Sequence, residues 1–273
     1  MFNFLHTFNP DPVLISVGPF SVHWYGLFIV SGILAATVVA FKLGEKYGLK
    51  KDTIIDTIFY LVIGGIAGAR LYHIGLEFSY YSKNPLNIFK LWQGGLAIHG
   101  GIIAGVIVLY MLAKKYKIRL WQLAAIFAPG LALAQAIGRW GNYFNQEIYG
   151  LPTTLPWGIP IEPTNRIAEY FTFEYFHPTF LYESIGNFLI FLILISIHAY
   201  IIKNKKFHDY FYFSVIASYL ILYSLLRFSL EFIRVDRTPE ILGLRWPQIA
   251  SLVIIIMTII FLTIKNKTKK MSS

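Results

Sequence analysis

Apolar residues recur along this chain in runs too long for the core helix of a soluble domain, and polar residues collect in the gaps between them. Residues 19–41, 94–113, 121–138, 184–202 and 247–264 contain no Asp, Glu, Lys or Arg. About 20 apolar residues in a helix cross the roughly 30 Å hydrocarbon layer of a bilayer. Two further stretches, 53–75 and 210–232, have similar length and hydropathy despite internal charges. The pattern predicts an all-α polytopic membrane protein, one domain over residues 1–273. Its seven spans are expected near 19–41, 53–75, 94–113, 121–138, 180–202, 210–232 and 247–264. Residues 139–179 form the longest polar connection, with Pro152, Pro156, Pro160, Pro163 and Pro178. The aromatics Trp157, Tyr170, Phe171 and Phe173 within it predict an ordered cap, with short strands over 157–161 and 170–176.

Composition agrees with the pattern. The chain is 56% hydrophobic and 14% charged, against about 25% charged in soluble domains. No basic region precedes the first apolar run, so a span rather than a cleaved signal peptide is expected there. The absence of cysteine excludes disulfides, a thiolate nucleophile and a thiolate metal site.

A net charge of +10 would suit nucleic acid, but its distribution points elsewhere. Lys42, Lys46, Lys50 and Lys51, then Lys114, Lys115, Lys117 and Arg119, then Lys203, Lys205 and Lys206, and finally Lys265, Lys267, Lys269 and Lys270 fall in alternate connections. Positive charge marks the cytoplasmic side, which places the N-terminus outside and the C-terminus inside. These lysines are read as topology determinants touching anionic lipid, and no nucleic-acid partner is expected.

With that orientation the costly polar residues gather at the outer ends of six spans. They are His23 and Tyr25, Arg70 and His73, His99, Arg139, then His177, Tyr182 and Glu183, and finally Tyr223, Arg227, Glu231 and Arg234. Each has an innocent explanation alone. Arg227 and Glu231 are i,i+4 and can neutralise each other, His99 can be a packing histidine, and Tyr25 beside Trp24 an interfacial anchor. Their joint occurrence favours a site. Asp56, near the cytoplasmic start of the second span, is read as a solvated end. Pro129 is expected to kink the fourth span, and Gly64-x-x-x-Gly68 and Gly101-x-x-x-Gly105 to permit close helix approach.

Outside the spans, seven cations remain on the outer side, five of them arginine, whereas the inner clusters are nearly all lysine. Guanidinium forks suit phosphate, and the phosphate available at that depth belongs to phospholipid head groups. No hydrolase nucleophile elbow, zinc motif or phosphate loop is present. A metal held by His23, His73 and His99 would require a convergence that spacing does not show. Phosphate-leaving-group chemistry, lipid flipping, solute transport and a receptor role stay open on the residues alone.

Residues 138–150, Gly-Arg-Trp-Gly-Asn-Tyr-Phe-Asn-Gln-Glu-Ile-Tyr-Gly, resemble the signature of the prolipoprotein diacylglyceryl transferase family at every fixed position. Tyr143 stands where the family usually has phenylalanine. His23-Trp24-Tyr25-Gly26, Gly68-Ala69-Arg70, the stretch 94–101 around His99, His177-Pro178-Thr179 with Leu181-Tyr182-Glu183, and Arg227-Phe228-x-x-Glu231-Phe232-x-Arg234 resemble further family blocks in order. The resemblance implies transfer of the sn-1,2-diacylglyceryl group from phosphatidylglycerol to the lipobox cysteine of a prolipoprotein signal peptide. A thioether forms and glycerol phosphate leaves, without metal or cofactor, in a bacterial cytoplasmic membrane with the site facing outward. On that reading His99 is the candidate base, with Tyr25 and Glu231 as helpers, and an arginine-lowered thiol pKa is an alternative to a dedicated base. Arg139 and Arg227 would stabilise the leaving phosphate. Asn142, Asn145, Glu147, Gly150, Arg234 and Tyr223 would bind the lipid head group.

Overall fold

The computed structural model describes residues 2–18 and 20–271. Nine α-helices occur among them: α1 (Phe2–Thr7), α2 (Trp24–Lys46), α3 (Lys51–Leu76), α4 (Phe78–Lys83), α5 (Ile98–Lys115), α6 (Leu120–Phe144), α7 (Thr179–Lys203), α8 (Asp209–Leu230) and α9 (Trp246–Met271). Seven of them, all but α1 and α4, are long and apolar enough to cross a membrane. Many of their large apolar side chains, such as Leu34, Ile102, Met111, Ile185 and Met257, are exposed. That is the surface expected where lipid is the solvent.

Three boundaries differ from expectation. The chain before α2 is a hairpin, β1 (Val13–Val17) with β2 (Phe20–His23), so His23 ends a strand and the first long helix starts at Trp24. Gly94 and Gly95 take φ of 82° and 77°, a left-handed conformation that glycine adopts without steric cost. Helix α5 therefore begins only at Ile98, and His99 sits in its first turn rather than a turn and a half along. Helix α6 continues to Phe144, which brings Arg139 and Asn142 inside the helix instead of beyond its end. Pro129 lies within this unbroken helix.

The chain divides into two compact units, residues 1–39 with 127–273, and residues 40–126. In the second unit α3 packs along α5. A Cβ placed on Gly68 would stand 2.6 Å from the Gly100 carbonyl oxygen, and one on Gly64 would stand 2.7 Å from Val108. The glycine facing Gly68 is thus Gly100; a Cβ on Gly101 or Gly105 would meet its nearest neighbour only at ordinary contact distance, 3.4 Å and 4.0 Å. Gly100→Val is expected to force the helices apart and lower stability by about 3 kcal/mol, whereas Gly105→Ala should leave thermal unfolding in detergent unchanged. Equal midpoints for the two variants would remove the close crossing from the account.

Beyond α3 the same unit carries an arm, residues 78–93, with exposed Phe78, Leu86, Phe89 and Trp92. Arg70 anchors it. The buried guanidinium donates to the carbonyls of Ile88 (2.9 Å), Gly94 (2.6 Å), Gly95 (3.1 Å) and Asn87 (2.5 Å). Arg70 is therefore fully engaged by backbone. Asp56 keeps a solvated side chain, as expected, and there it pairs with Lys115 at 3.7 Å and accepts from the Tyr116 hydroxyl.

In the first unit α2 meets α6 through Gly32 against Ala134 and Gly130 against Ala36, each with a glycine Cβ position about 3 Å from backbone. Helix α7 is tied to α6 by Ser184 Oγ, which donates to the Ala136 carbonyl at 2.7 Å. The cap is ordered. Strand β3 (Ile159–Pro160) pairs with β4 (Tyr175–Phe176), shorter than the expected strands but inside them. Its core is Tyr149, Ile159, Ile161 and Phe176, continuous with Leu5, Tyr143, Phe180 and Leu181. A second hairpin, β5 (Glu240–Ile241) with β6 (Leu244–Arg245), precedes α9.

Candidate active site

The last two turns of α6 and the loop after them organise the first part of the site. Arg139 Nη1 donates to Asn142 Oδ1 at 3.0 Å, and Asn142 Nδ2 donates to Glu147 Oε1 at 2.7 Å. Asn145 Nδ2 reaches the same carboxylate oxygen at 3.3 Å. The loop folds back because Gln146 and Ile148 adopt φ of 51° and 56°. Buried Gln146 locks that turn, donating to Asn9 Oδ1 and the Pro10 carbonyl while accepting from the Glu162 amide. Four of the signature's polar side chains therefore form one chain, Arg139–Asn142–Glu147–Asn145. Tyr25 borders it: its ring lies 2.6 Å from a Cβ position on Gly141, and the charges of Arg139 and Glu147 both act on its phenol.

Gly150 has a different task. A Cβ there would lie 2.8 Å from His177 Cβ and 2.9 Å from the Ile233 carbonyl oxygen. Its amide bonds to the His177 carbonyl, and Leu151 N bonds to Ile233 O at 2.7 Å. The close approach that Gly150 permits is to the chain itself, joining the cap to the segment after α8.

Carboxylates and guanidinium groups alternate in the second part. Glu183, at the start of the second turn of α7 and almost fully buried, lies 2.6 Å from Arg139 Nη2 and 3.6 Å from Arg234 Nη1. Arg234 Nε holds Asp236 Oδ1 at 2.7 Å. Glu231, 1% exposed, lies 2.9 Å from Arg227 Nη2 and 3.1 Å from Arg245 Nη1. Among the described residues Glu183 Oε1 and both Glu231 oxygens accept no aligned N–H, so these contacts are charge pairs rather than formed hydrogen bonds. Burial pushes the Asp236 carboxyl up, but the hydrogen bond from Arg234 and the charges of Arg234, Arg245 and Arg227 hold it below its ordinary value of 3.8. Its pairing therefore stabilises the fold above that value and is lost as pH falls through and below it. In the cap, burial lowers the pKa of His177, whose Nδ1 lies 3.2 Å from the Tyr182 hydroxyl.

The geometry brings Tyr25, Arg139, Asn142, Asn145, Glu147, Arg227, Glu231 and Arg234 into one unit, with Tyr223 one turn from Arg227 on α8. His99 belongs to the other unit, where it is exposed and its ring lies 6.0 Å from that of Tyr72. Among the described residues no three His, Asp or Glu side chains are placed to hold a metal. Sequence reasoning did not single out Arg245. Its fork donates to the carbonyls of Glu231 (3.0 Å), Arg234 (2.9 Å) and Asp236, and its Nε to Thr238 Oγ1. An arginine directly before an apolar run was the available signal. Glu183, counted among the costly outer residues but given no role, proves to be the bridge between Arg139 and Arg234.

Arg139 uses both terminal nitrogens and keeps Nε. Arg227 spends Nη2 on Glu231 and keeps Nε and Nη1 without a partner among the described residues. Donors left over on two arginines, each already steadied by a buried carboxylate, are what a phosphate oxygen can use.

Comparison with known proteins decides what this arrangement belongs to. The family model described as prolipoprotein diacylglyceryl transferase matches residues 12–264. The chain belongs to the prolipoprotein diacylglyceryl transferase family. It is 42% identical over 264 residues to the phosphatidylglycerol–prolipoprotein diacylglyceryl transferase of Finegoldia magna, covering 96% of this chain and 98% of that one. It is 39% identical over 251 residues to the protein of that name from Synechocystis sp. and 40% identical over 251 residues to that from Staphylococcus aureus, each match covering 91% of this chain. The Synechocystis match covers 87% of that protein's length. Membership in the transferase family spans every element described above except α1 and the end of α9.

Proposed function

We propose that this chain transfers the sn-1,2-diacylglyceryl group of phosphatidylglycerol to the lipobox cysteine thiol of a prolipoprotein. It would do so in a bacterial cytoplasmic membrane, with the site on the extracytoplasmic face. Family membership and the names of its relatives support the reaction. The lysine-rich alternate connections support the orientation. The observation that carries the site is the pair Arg139 and Arg227, each holding a buried carboxylate by one edge of its fork with N–H donors to spare.

In the reaction the substrate sulfur attacks the glyceryl carbon that bears the phosphate ester. A carbon–sulfur bond forms, the carbon–oxygen bond breaks, and its electron pair leaves with glycerol phosphate. On the family resemblance alone His99 is the candidate to take the thiol proton. Free thiols have a pKa near 8.5, and an apolar setting raises it, so a proton acceptor raises the reactive fraction. Arg139 and Arg227 meet the charge that builds on the departing phosphate. The carboxamides of Asn142 and Asn145, fixed on Glu147, position the head group, and Tyr25 and Arg234 flank it.

Incubation with labelled phosphatidylglycerol and a lipobox peptide should yield a thioether-linked diacylglyceryl peptide. Lipid movement between leaflets without that product would overturn the reading in favour of a flippase. His99→Gln is expected to lower the transfer rate by about 10²–10⁴-fold with phosphatidylglycerol binding retained. Loss of binding instead would make His99 a ligand-holding or structural group.

A further inference from the structure

Polar surface in the first unit continues past the arginines into the span. One turn inward from Arg139 on α6 stands Gln135; one and two turns inward from Arg227 on α8 stand Tyr223 and Tyr219. The Tyr219 hydroxyl donates to Gln135 Oε1 at 3.0 Å, and the Tyr219 and Tyr223 rings stack with centroids 5.8 Å apart. That bond occupies the amide oxygen and turns the other half of the amide into a donor. Gln135 Nε2 and the Tyr223 hydroxyl have no hydrogen-bond partner among the described residues, and both side chains are only half-buried. Polar side chains at membrane depth persist where something takes up their hydrogen bonds.

A diacyl phospholipid supplies acceptors at that level. Its ester carbonyls hang from the same glycerol as the phosphate, toward the hydrocarbon, inside an interfacial layer about 5–8 Å thick. One helical turn is about 5.4 Å. A phosphate held by Arg139 and Arg227 therefore puts the ester carbonyls beside the residues one turn inward. We propose that Gln135 Nε2, oriented by Tyr219 and joined by the Tyr223 hydroxyl, binds the ester carbonyls of the lipid. This contact selects diester over diether lipids as donors. The proposal rests on the transferase reading and adds to it a determinant of lipid class.

The test compares dipalmitoyl phosphatidylglycerol with its dihexadecyl diether analogue in detergent micelles, with a lipobox peptide as acceptor. Wild-type protein should favour the diester about tenfold in kcat/KM, the worth of one well-placed hydrogen bond. In Gln135→Leu the ratio should fall toward one. Tyr219→Phe, which removes only the oxygen that orients the amide, gives the same reading with less risk to folding, and its ratio should fall part of the way. Equal use of both lipids by the wild type, or an unchanged ratio in both variants, overturns the carbonyl contact while leaving the transferase intact. Absence of product from either lipid overturns the transferase reading itself.

Discussion

Glu231→Gln should be the most destabilising single change in the first unit, by about 3–5 kcal/mol, seen as a thermal midpoint in detergent lower by about 10 °C. Glu231 is 1% exposed and places its negative charge between Arg227, 2.9 Å away, and Arg245, 3.1 Å away. Two desolvated guanidinium groups facing an amide would repel each other with nothing to offset the cost of their burial. Arg245 cannot swing away without releasing the carbonyls of Glu231, Arg234 and Asp236, which it holds together at the start of α9. The loss should therefore spread to the segment that carries Arg234, and through Arg234 to Glu183. Glu231→Asp, one methylene shorter with the charge kept, should recover part of the midpoint. If Glu231→Gln unfolds within a degree or two of the wild type, the carboxylate is not the keystone of this pair of arginines.

How much of this was legible beforehand depends on the physics behind each feature. The seven spans could be read because bilayer thickness demands long apolar runs, five of them here uncharged, a signal carried by composition. Their ends could not, because they are set by local backbone. Gly94 and Gly95 hold off α5 until Ile98, and the β1–β2 hairpin delays α2 to Trp24. Helix α6 overran its predicted end because Arg139 and Asn142 satisfy one another and Glu183, so charge does not stop the helix there. Residue types at the site were readable from their cost at a membrane boundary, but their pairing was not. Arg227 with Glu231 at i,i+4 was the one ion pair that spacing alone specifies. Glu183 with Arg139 and Arg234, and Arg245 with Glu231, join residues 14 to 51 positions apart that only the fold brings together. Arg70 shows the opposite limit: it counted among the costly groups gathered at the outer span ends, and the arm's backbone carbonyls claim it.

Arg139→Lys should lower kcat for diacylglyceryl transfer by about 10²–10³-fold, the range for removing one preorganised donor to a developing oxyanion. The wild-type guanidinium does three things at once. Nη1 holds Asn142, Nη2 faces Glu183, and Nε is left for the phosphate. An ammonium on a flexible stem has the charge without the planar fork. If it stays with buried Glu183, it leaves Asn142 without its donor, and the Asn142–Glu147–Asn145 chain loses the contact that aims it. If it turns to the phosphate, Glu183 is left to Arg234 alone at 3.6 Å. Because a positive charge stays beside Glu183, the thermal midpoint should move far less than in Glu231→Gln. The expected signature is therefore an inserted, folded protein that binds phosphatidylglycerol but transfers it slowly. An Arg139→Lys protein with wild-type kcat would show that charge alone suffices, and would remove the fork from the mechanism. One that unfolds like Glu231→Gln would instead place Arg139 among the residues that hold the unit together.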